Sequence, residues 1–133
     1  MAGIIEIDVL LKEMKPVLDR TDYVFSTKKC FQIDEEIIAL NPIATFLESE
    51  GMTVVVSKIK AEKHKLSYDT IFNKITLEVH SSLEAVGLTA AISTALASRN
   101  ISANMVAGYY HDHIFIPKDK SDLALETLEG LTK

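Results

Sequence analysis

The chain has no tryptophan and only one cysteine, Cys30, among its 133 residues. A single thiol forms no internal disulfide and no Cys-x-x-Cys pair, which suits a reducing compartment, and the expected location is the cytoplasm. No apolar run approaches membrane-spanning length. The first residues, Met1-Ala2-Gly3-Ile4-Ile5-Glu6-Ile7-Asp8, carry acids where a secretory signal has a basic and then an apolar region. Glycine-rich phosphate cradles of the GxGxxG and Walker types are missing. Basic charge is in deficit: 14 Lys and Arg stand against 19 Asp and Glu, a net charge of -5. That balance opposes nucleic acid and anionic membrane as partners. The densest basic run, Lys58 to Lys65, has no interleaved aromatics and reads as a solvated helix face.

What remains is an ordinary globular composition, 47% hydrophobic and 25% charged, in a chain long enough for a real core. Ile7, Leu10, Leu11, Met14 and Leu18 recur at helical spacing, with Pro16 and Asp19-Arg20-Thr21-Asp22 as the stop. Tyr23 to Thr27 reads as a strand, Asp34-Glu35-Glu36 up to Pro42 as an acidic loop, and Ile43 to Glu48 as a brief helix ending at Gly51. Met52 to Val56 reads as a strand and Ile59 to Lys65 as a helix; Ser67 to Phe72 could add a strand. In the second half Lys74 to His80 alternates, with Ile75, Leu77 and Val79 on one face. Leu88, Ala91, Ile92, Ala95 and Leu96 form an i, i+3, i+4, i+7, i+8 stripe. Strands at Ala103–Ala107 and Ile114–Ile116 follow, and then a helix with Asp119 as N-cap and Ala124, Leu125, Leu128 and Leu131 as its apolar face.

The order of the second half is β-α-β-β-α, a split β-α-β unit without its last strand. The first half reads as α-β-β-α-β, the same unit without its first strand. The expected organisation is therefore two half-copies, residues 1–72 and 73–133. The fold class is α+β and ferredoxin-like, with antiparallel sheets and helices on one face. Unpaired sheet edges tend to be covered between chains, so a homodimer is expected.

The stretch from Leu83 to Leu128 resembles the ACT domain, a small ligand-binding regulatory module common in amino-acid metabolism. Gly87-Leu88 sits at the first strand–helix junction and Ala90-Ala91-Ile92 opens the helix. Ile101-Ser102-Ala103-Asn104 leads into the second strand, Asp112 is the hairpin acid, and Ile114-Phe115-Ile116-Pro117 is the third strand. Together with Met14 to Leu18 and Leu40 to Ala44, the whole chain resembles uncharacterised bacterial proteins with two tandem ACT-like halves. The junction reads Leu83-Glu84-Ala85-Val86-Gly87 where the commonest ACT pattern has Asp-x-Pro-Gly.

Four candidate chemistries follow from the residues. His111 and His113 are two apart and could share a strand face as metal ligands, but no matching His or Cys pair follows, and His64 and His80 could join them only by folding. The competing reading of Gly108 to Asp112 is a polar hairpin turn, with Gly108 for backbone freedom and Asp112 bonding nearby N–H groups. Cys30 after Lys28-Lys29 has no histidine nearby in sequence and reads as an idle thiol; no nucleophile–base pair supports an enzyme. Ser81 with Glu84 fits a capping box, and Gly87 within that turn either packs closely or lets a carboxylate reach free helix N–H groups. Asn104, opposite Met105 in direction, could bond an amino or carboxylate group. The resulting expectation is a non-catalytic module without cofactor or metal, binding a small polar metabolite such as an amino acid between halves or subunits. Its ligand residues would be Val86, Gly87, Leu88, Asn104 and Met105. The alternatives are a ligand-free interaction module, or a small metal protein or enzyme using His111 and His113.

Overall fold

The computed structural model describes residues 7–78 and 87–132. Contacts divide the chain into two compact units, Thr21–Phe72 and a second made of Met1–Arg20 with Asn73–Lys133. Strand β1 (Pro16–Lys28) contributes its first residues to the second unit and the rest to the first.

In the unit Thr21–Phe72, β1 is followed by α2 (Glu35–Leu40), β2 (Ala44–Glu48), β3 (Gly51–Ser57) and α3 (Lys58–Lys63). The strand order is β2-β3-β1, antiparallel throughout. Met52, Val54 and Val56 share one face of β3 because side chains alternate, and they meet Val24, Ile37, Leu40 and Ala61 in one core. Asp34 starts α2: its backbone is extended and its carboxylate accepts the Ile37 N–H at 2.9 Å. Glu35 and Glu36 in the first turn suit the positive end of the helix dipole. Asn41, at φ 48°, ends the helix in the left-handed conformation that asparagine tolerates.

The second unit holds α1 (Ile7–Glu13), the start of β1, β4 (Phe72–Leu77), α4 (Leu88–Ala97), β5 (Asn104–Ala107), β6 (Asp112–Pro117), a 3₁₀ turn at Lys118–Lys120, and α5 (Ser121–Leu131). Its strand order is β1-β4-β6-β5. The Glu78 N–H donates to the Lys15 carbonyl at 2.8 Å and Lys74 faces Asp19, so β1 and β4 run antiparallel. The C-terminal β-α-β-β-α thus has Pro16–Arg20 beside it where a final strand would stand. Leu88, Ile92 and Leu96 of α4, Ile75 and Leu77 of β4, Ile114 and Ile116 of β6, and Ala124 and Leu128 of α5 bury together with Leu10 and Met14. The protein is α+β and ferredoxin-like, with antiparallel sheet and helices on one face.

Five local expectations are corrected. The first helix stops at Glu13, and Pro16 opens a 13-residue strand instead of ending a helix. The acidic loop is the start of α2, and Ile43–Glu48 is not a helix but mostly the strand β2. Of Ser67–Phe72 only Phe72 is in a strand, as the first residue of β4. Asp119 lies in the 3₁₀ turn; the residue preceding α5 is Lys120. Val79, Ser81 and Glu84 lie outside the described residues.

Candidate functional site

Of the five residues expected to bind ligand, Val86 lies outside the described residues. Gly87 is the residue before α4, at φ 99°, and makes no side-chain cap. Its carbonyl accepts the Ala91 N–H at 2.9 Å. Among the described residues an added Cβ would meet only Ile7 Cγ1, at 4.0 Å, and the backbone angle alone calls for glycine here. The first N–H groups of a helix have no partner within it, and at this end no side chain of the preceding residue covers them. Leu88 is buried and points into the core.

Asn104 is exposed at the start of β5, opposite Phe115 of β6; its Nδ2 donates to the Phe115 carbonyl at 3.3 Å. Met105, opposite Ile114, is half-buried against the same core that holds Leu88. The structure therefore brings Leu88 and Met105 to one core, and leaves Gly87 and Asn104 at the head of a helix and on an exposed strand position.

Residues 108–111 form the hairpin turn, and Asp112 and His113 open β6. The Gly108 N–H donates to the His111 carbonyl at 2.9 Å, joining β5 to β6. A Cβ at Gly108 would lie 2.9 Å from that carbonyl oxygen and 3.3 Å from His113 Nε2, so glycine is needed for space. His113 Nδ1 sits 2.9 Å from Thr76 Oγ1, and His111 Nδ1 is buried without a hydrogen-bond partner among the described residues. Among the described residues no group of three or more His, Cys, Asp or Glu side chains could hold a metal. Burial, then Lys74 and His111, push the His113 pKa below 6.5, while Asp112 opposes them. Burial pushes the Asp112 pKa up, with His113 and His111 opposing.

These shifts have a sign that can be measured. A histidine whose pKa is lowered on folding takes up its proton more readily unfolded, so it costs stability as pH falls below 6.5. Asp112, whose pKa is raised, has the opposite sign: its burial penalty is relieved as pH falls through that raised pKa toward 3.8. His113→Gln is expected to flatten the decline of the unfolding midpoint between about pH 6.5 and pH 5. An unchanged slope in thermal unfolding across that window would contradict the assignment.

The unit Thr21–Phe72 contains a cleft that no sequence motif marks. It has a volume of about 350 Å³ and is lined by Phe25 and Thr27 of β1, Thr53 of β3, and Tyr68 and Asp69 before β4. The Phe25 ring meets Phe72 edge-on, with centroids 5.3 Å apart. The Tyr68 hydroxyl donates to Glu62 at 3.1 Å, and Ser26 Oγ donates to the Ser67 carbonyl at 2.5 Å. These residues come from three separated segments, so only the fold brings them together. In the basic run, Lys58 pairs with Glu62 at 3.3 Å and Lys60 donates to the Ala39 carbonyl at 3.3 Å, so both are engaged locally. Cys30 is a free, half-buried thiol against the core of this unit.

Comparison with known proteins completes the picture. Family models described as ACT domain match residues 2–73 and 69–130. A protein of unknown function from Vibrio cholerae, described as a possible transport protein, is 48% identical, with 95% of each chain covered and a TM-score of 0.86. An Agobacterium tumefaciens protein is 10% identical, covering 90% of this chain and 89% of its own, with a TM-score of 0.73. The regulatory subunit of aspartate kinase from Thermus flavus is 12% identical over 100% of both chains, with a TM-score of 0.66. No curated protein matches the chain. No helix among the described residues is long and apolar enough to cross a membrane.

Proposed function

Because the chain belongs to the ACT-domain family, with an ACT-type match in each half, we propose that it is a non-catalytic regulatory module that binds a small polar metabolite, foremost an amino acid. The likeness in fold to the regulatory subunit of aspartate kinase from Thermus flavus supports a regulatory role. The two functional halves are residues 1–72 and 73–133, and the working form is a cytoplasmic homodimer.

The observation that carries this reading is the start of α4. Gly87, at φ 99°, gives no side-chain cap to this ten-residue helix, and the first N–H groups and positive end of a helix attract an anion. The ligand carboxylate sits on the backbone of Val86, Gly87 and Leu88. Asn104 and Met105 contact the rest of it, the Asn104 side-chain oxygen being a suitable acceptor for an ammonium group. Ligand binding then favours one arrangement of the assembly over another.

A thermal-shift screen of dialysed protein against the twenty amino acids tests this. A ligand at a hundred times its dissociation constant adds about 2.7 kcal/mol and raises the midpoint by several degrees. The expected result is one clear hit, retained in Gly130→Ala and lost in Gly87→Ala. Gly130 is a sound control, because a Cβ there, within α5, meets nothing within 4 Å among the described residues. Silence across the panel overturns the proposal.

A further inference from the structure

In the unit Thr21–Phe72 the helices pack on one face of the sheet, over Val24, Met52, Val54 and Val56. Side chains alternate along a strand, so Phe25, Thr27 and Thr53 stand on the other face. Thr27 is opposite Thr53 in the β1–β3 register, and Phe46 of the outer strand β2 is opposite Thr53 in turn. Directly opposed residues share a face, so these four side chains lie together. The cleft of about 350 Å³ is built here, with Ser67, Tyr68 and Asp69 as its other wall. Ser26 Oγ ties that wall to β1 by donating to the Ser67 carbonyl at 2.5 Å. The volume suits a small organic molecule.

The lining says which molecule. Asp69 is its only charged residue, and no lysine, arginine or histidine accompanies it. The Asp69 carboxylate and the Thr27 hydroxyl have no hydrogen-bond or ion-pair partner among the described residues. Lys28, next along β1, is opposite Met52 and so belongs to the helix-bearing face, where it pairs with Glu36 at 2.8 Å. A second carboxylate, that of Glu48, accepts the Thr53 hydroxyl. The charge at the cleft is therefore negative and uncompensated. Beside it stands the Phe25 ring, held edge-on by Phe72 with centroids 5.3 Å apart. Phe46, 73% exposed, continues the apolar surface past Thr53. An ammonium group is attracted both to a carboxylate and to an aromatic face. A ligand carboxylate would meet like charge and no cation, so an amino acid is a poor fit and an amine lacking the carboxyl group is a good one.

We propose that this cleft binds a small primary amine with an apolar body and no carboxylate, its ammonium on Asp69 and its body against Phe25. The site is built from other residues than the start of α4 and stands whether or not an amino acid binds there.

Amide NMR titrations of the full chain with three probes of one shape test it: phenethylamine, 2-phenylethanol and 3-phenylpropanoate. Phenethylamine at millimolar concentration should shift the Thr27, Thr53, Tyr68 and Asp69 amides in a saturable way. The alcohol should bind about tenfold more weakly or worse, since it loses a charge-assisted hydrogen bond. The carboxylate should leave these amides unmoved. Asp69→Asn keeps the shape of an exposed side chain and should weaken phenethylamine by about tenfold. Asp119→Asn removes an equal charge from the 3₁₀ turn before α5 and should change nothing. Equal affinity for amine and alcohol overturns the proposal, as does phenethylamine binding to Asp69→Asn as tightly as to wild type. Amine shifts confined to other parts of the chain, or no saturable shift at all, overturn it too.

Discussion

Replacing Gly51 with alanine is expected to destabilise the chain by about 3 kcal/mol or more, the upper range of backbone-strain effects. Gly51 opens β3 directly after the β2–β3 turn, at φ 149°, a conformation that residues with a side chain rarely adopt. Space is short as well. A Cβ there would lie 2.6 Å from the Lys28 carbonyl oxygen, far inside contact distance. That oxygen belongs to the backbone of β1, where Lys28 pairs with Met52, so it moves only if the last rungs of the β1–β3 ladder move. Steric overlap and backbone strain therefore add. At about 3–5 °C per kcal/mol for a chain of this size, the midpoint should fall by roughly 10 °C. Gly87→Ala meets strain without the clash and should cost less. Equal midpoints for wild type and Gly51→Ala in thermal unfolding would contradict this account of the turn.

Leu96→Ala is expected to cost about 2–5 kcal/mol in urea unfolding, the range for emptying a fully buried leucine site. Leu96 is completely buried, one turn beyond Ile92 and two beyond Leu88 on the inner stripe of α4. It also stands where the helix ends. Its carbonyl accepts the Ile101 N–H at 3.0 Å as the chain turns toward β5, and Ile101 is itself buried in the same core. The void left by truncation is therefore lined by the helix end, the turn and the sheet, and little can collapse into it. Ile92→Val on the same stripe removes one methyl group and should cost only about 0.5–1.5 kcal/mol. A Leu96→Ala loss no greater than that of Ile92→Val would mean that α4 is not anchored through this stripe.

The α4 stripe was legible because its spacing and its burial have one cause: a helix with one wet face must place its apolar residues three and four apart. The apolar face of α5 was legible for the same reason, and β3 by its short run of β-branched residues, Thr53 to Val56. The failures are also specific. Leu11, Met14 and Leu18 keep helical spacing, yet Leu18 belongs to β1; it packs against the core that holds Leu10 and Met14, so shared burial imitated a helical period. Pro16 tolerates the first position of a strand as well as the end of a helix, and its local chemistry did not choose between them. In α2 the signal was present, an Asp34 cap followed by Ile37 and Leu40, but consecutive carboxylates read as a loop. Gly51 was taken to end a helix, whereas it opens the second strand of a hairpin.

At the candidate site, Gly87 could be singled out because, read as lying within the turn that Ser81 and Glu84 open, it costs about 1 kcal/mol relative to alanine and so needs a reason. The structure supplies that reason as a backbone angle. The cleft of Phe25, Thr53 and Asp69 had no such mark, since its parts adjoin only after β1, β3 and the segment before β4 have come together. The exposure of Phe46 was equally hidden, because strand residues at an edge and in a sheet centre look alike in sequence.

The central claim is that the start of α4 receives the carboxylate of an amino acid. Its most direct test is an amide NMR titration of dialysed protein with each amino acid to millimolar concentration. The account predicts one amino acid that shifts the Gly87, Leu88, Thr89 and Ala90 amides in a saturable way, with Asn104 responding in the same titration. Saturable shifts confined to other parts of the chain, or no shift with any amino acid, would contradict it.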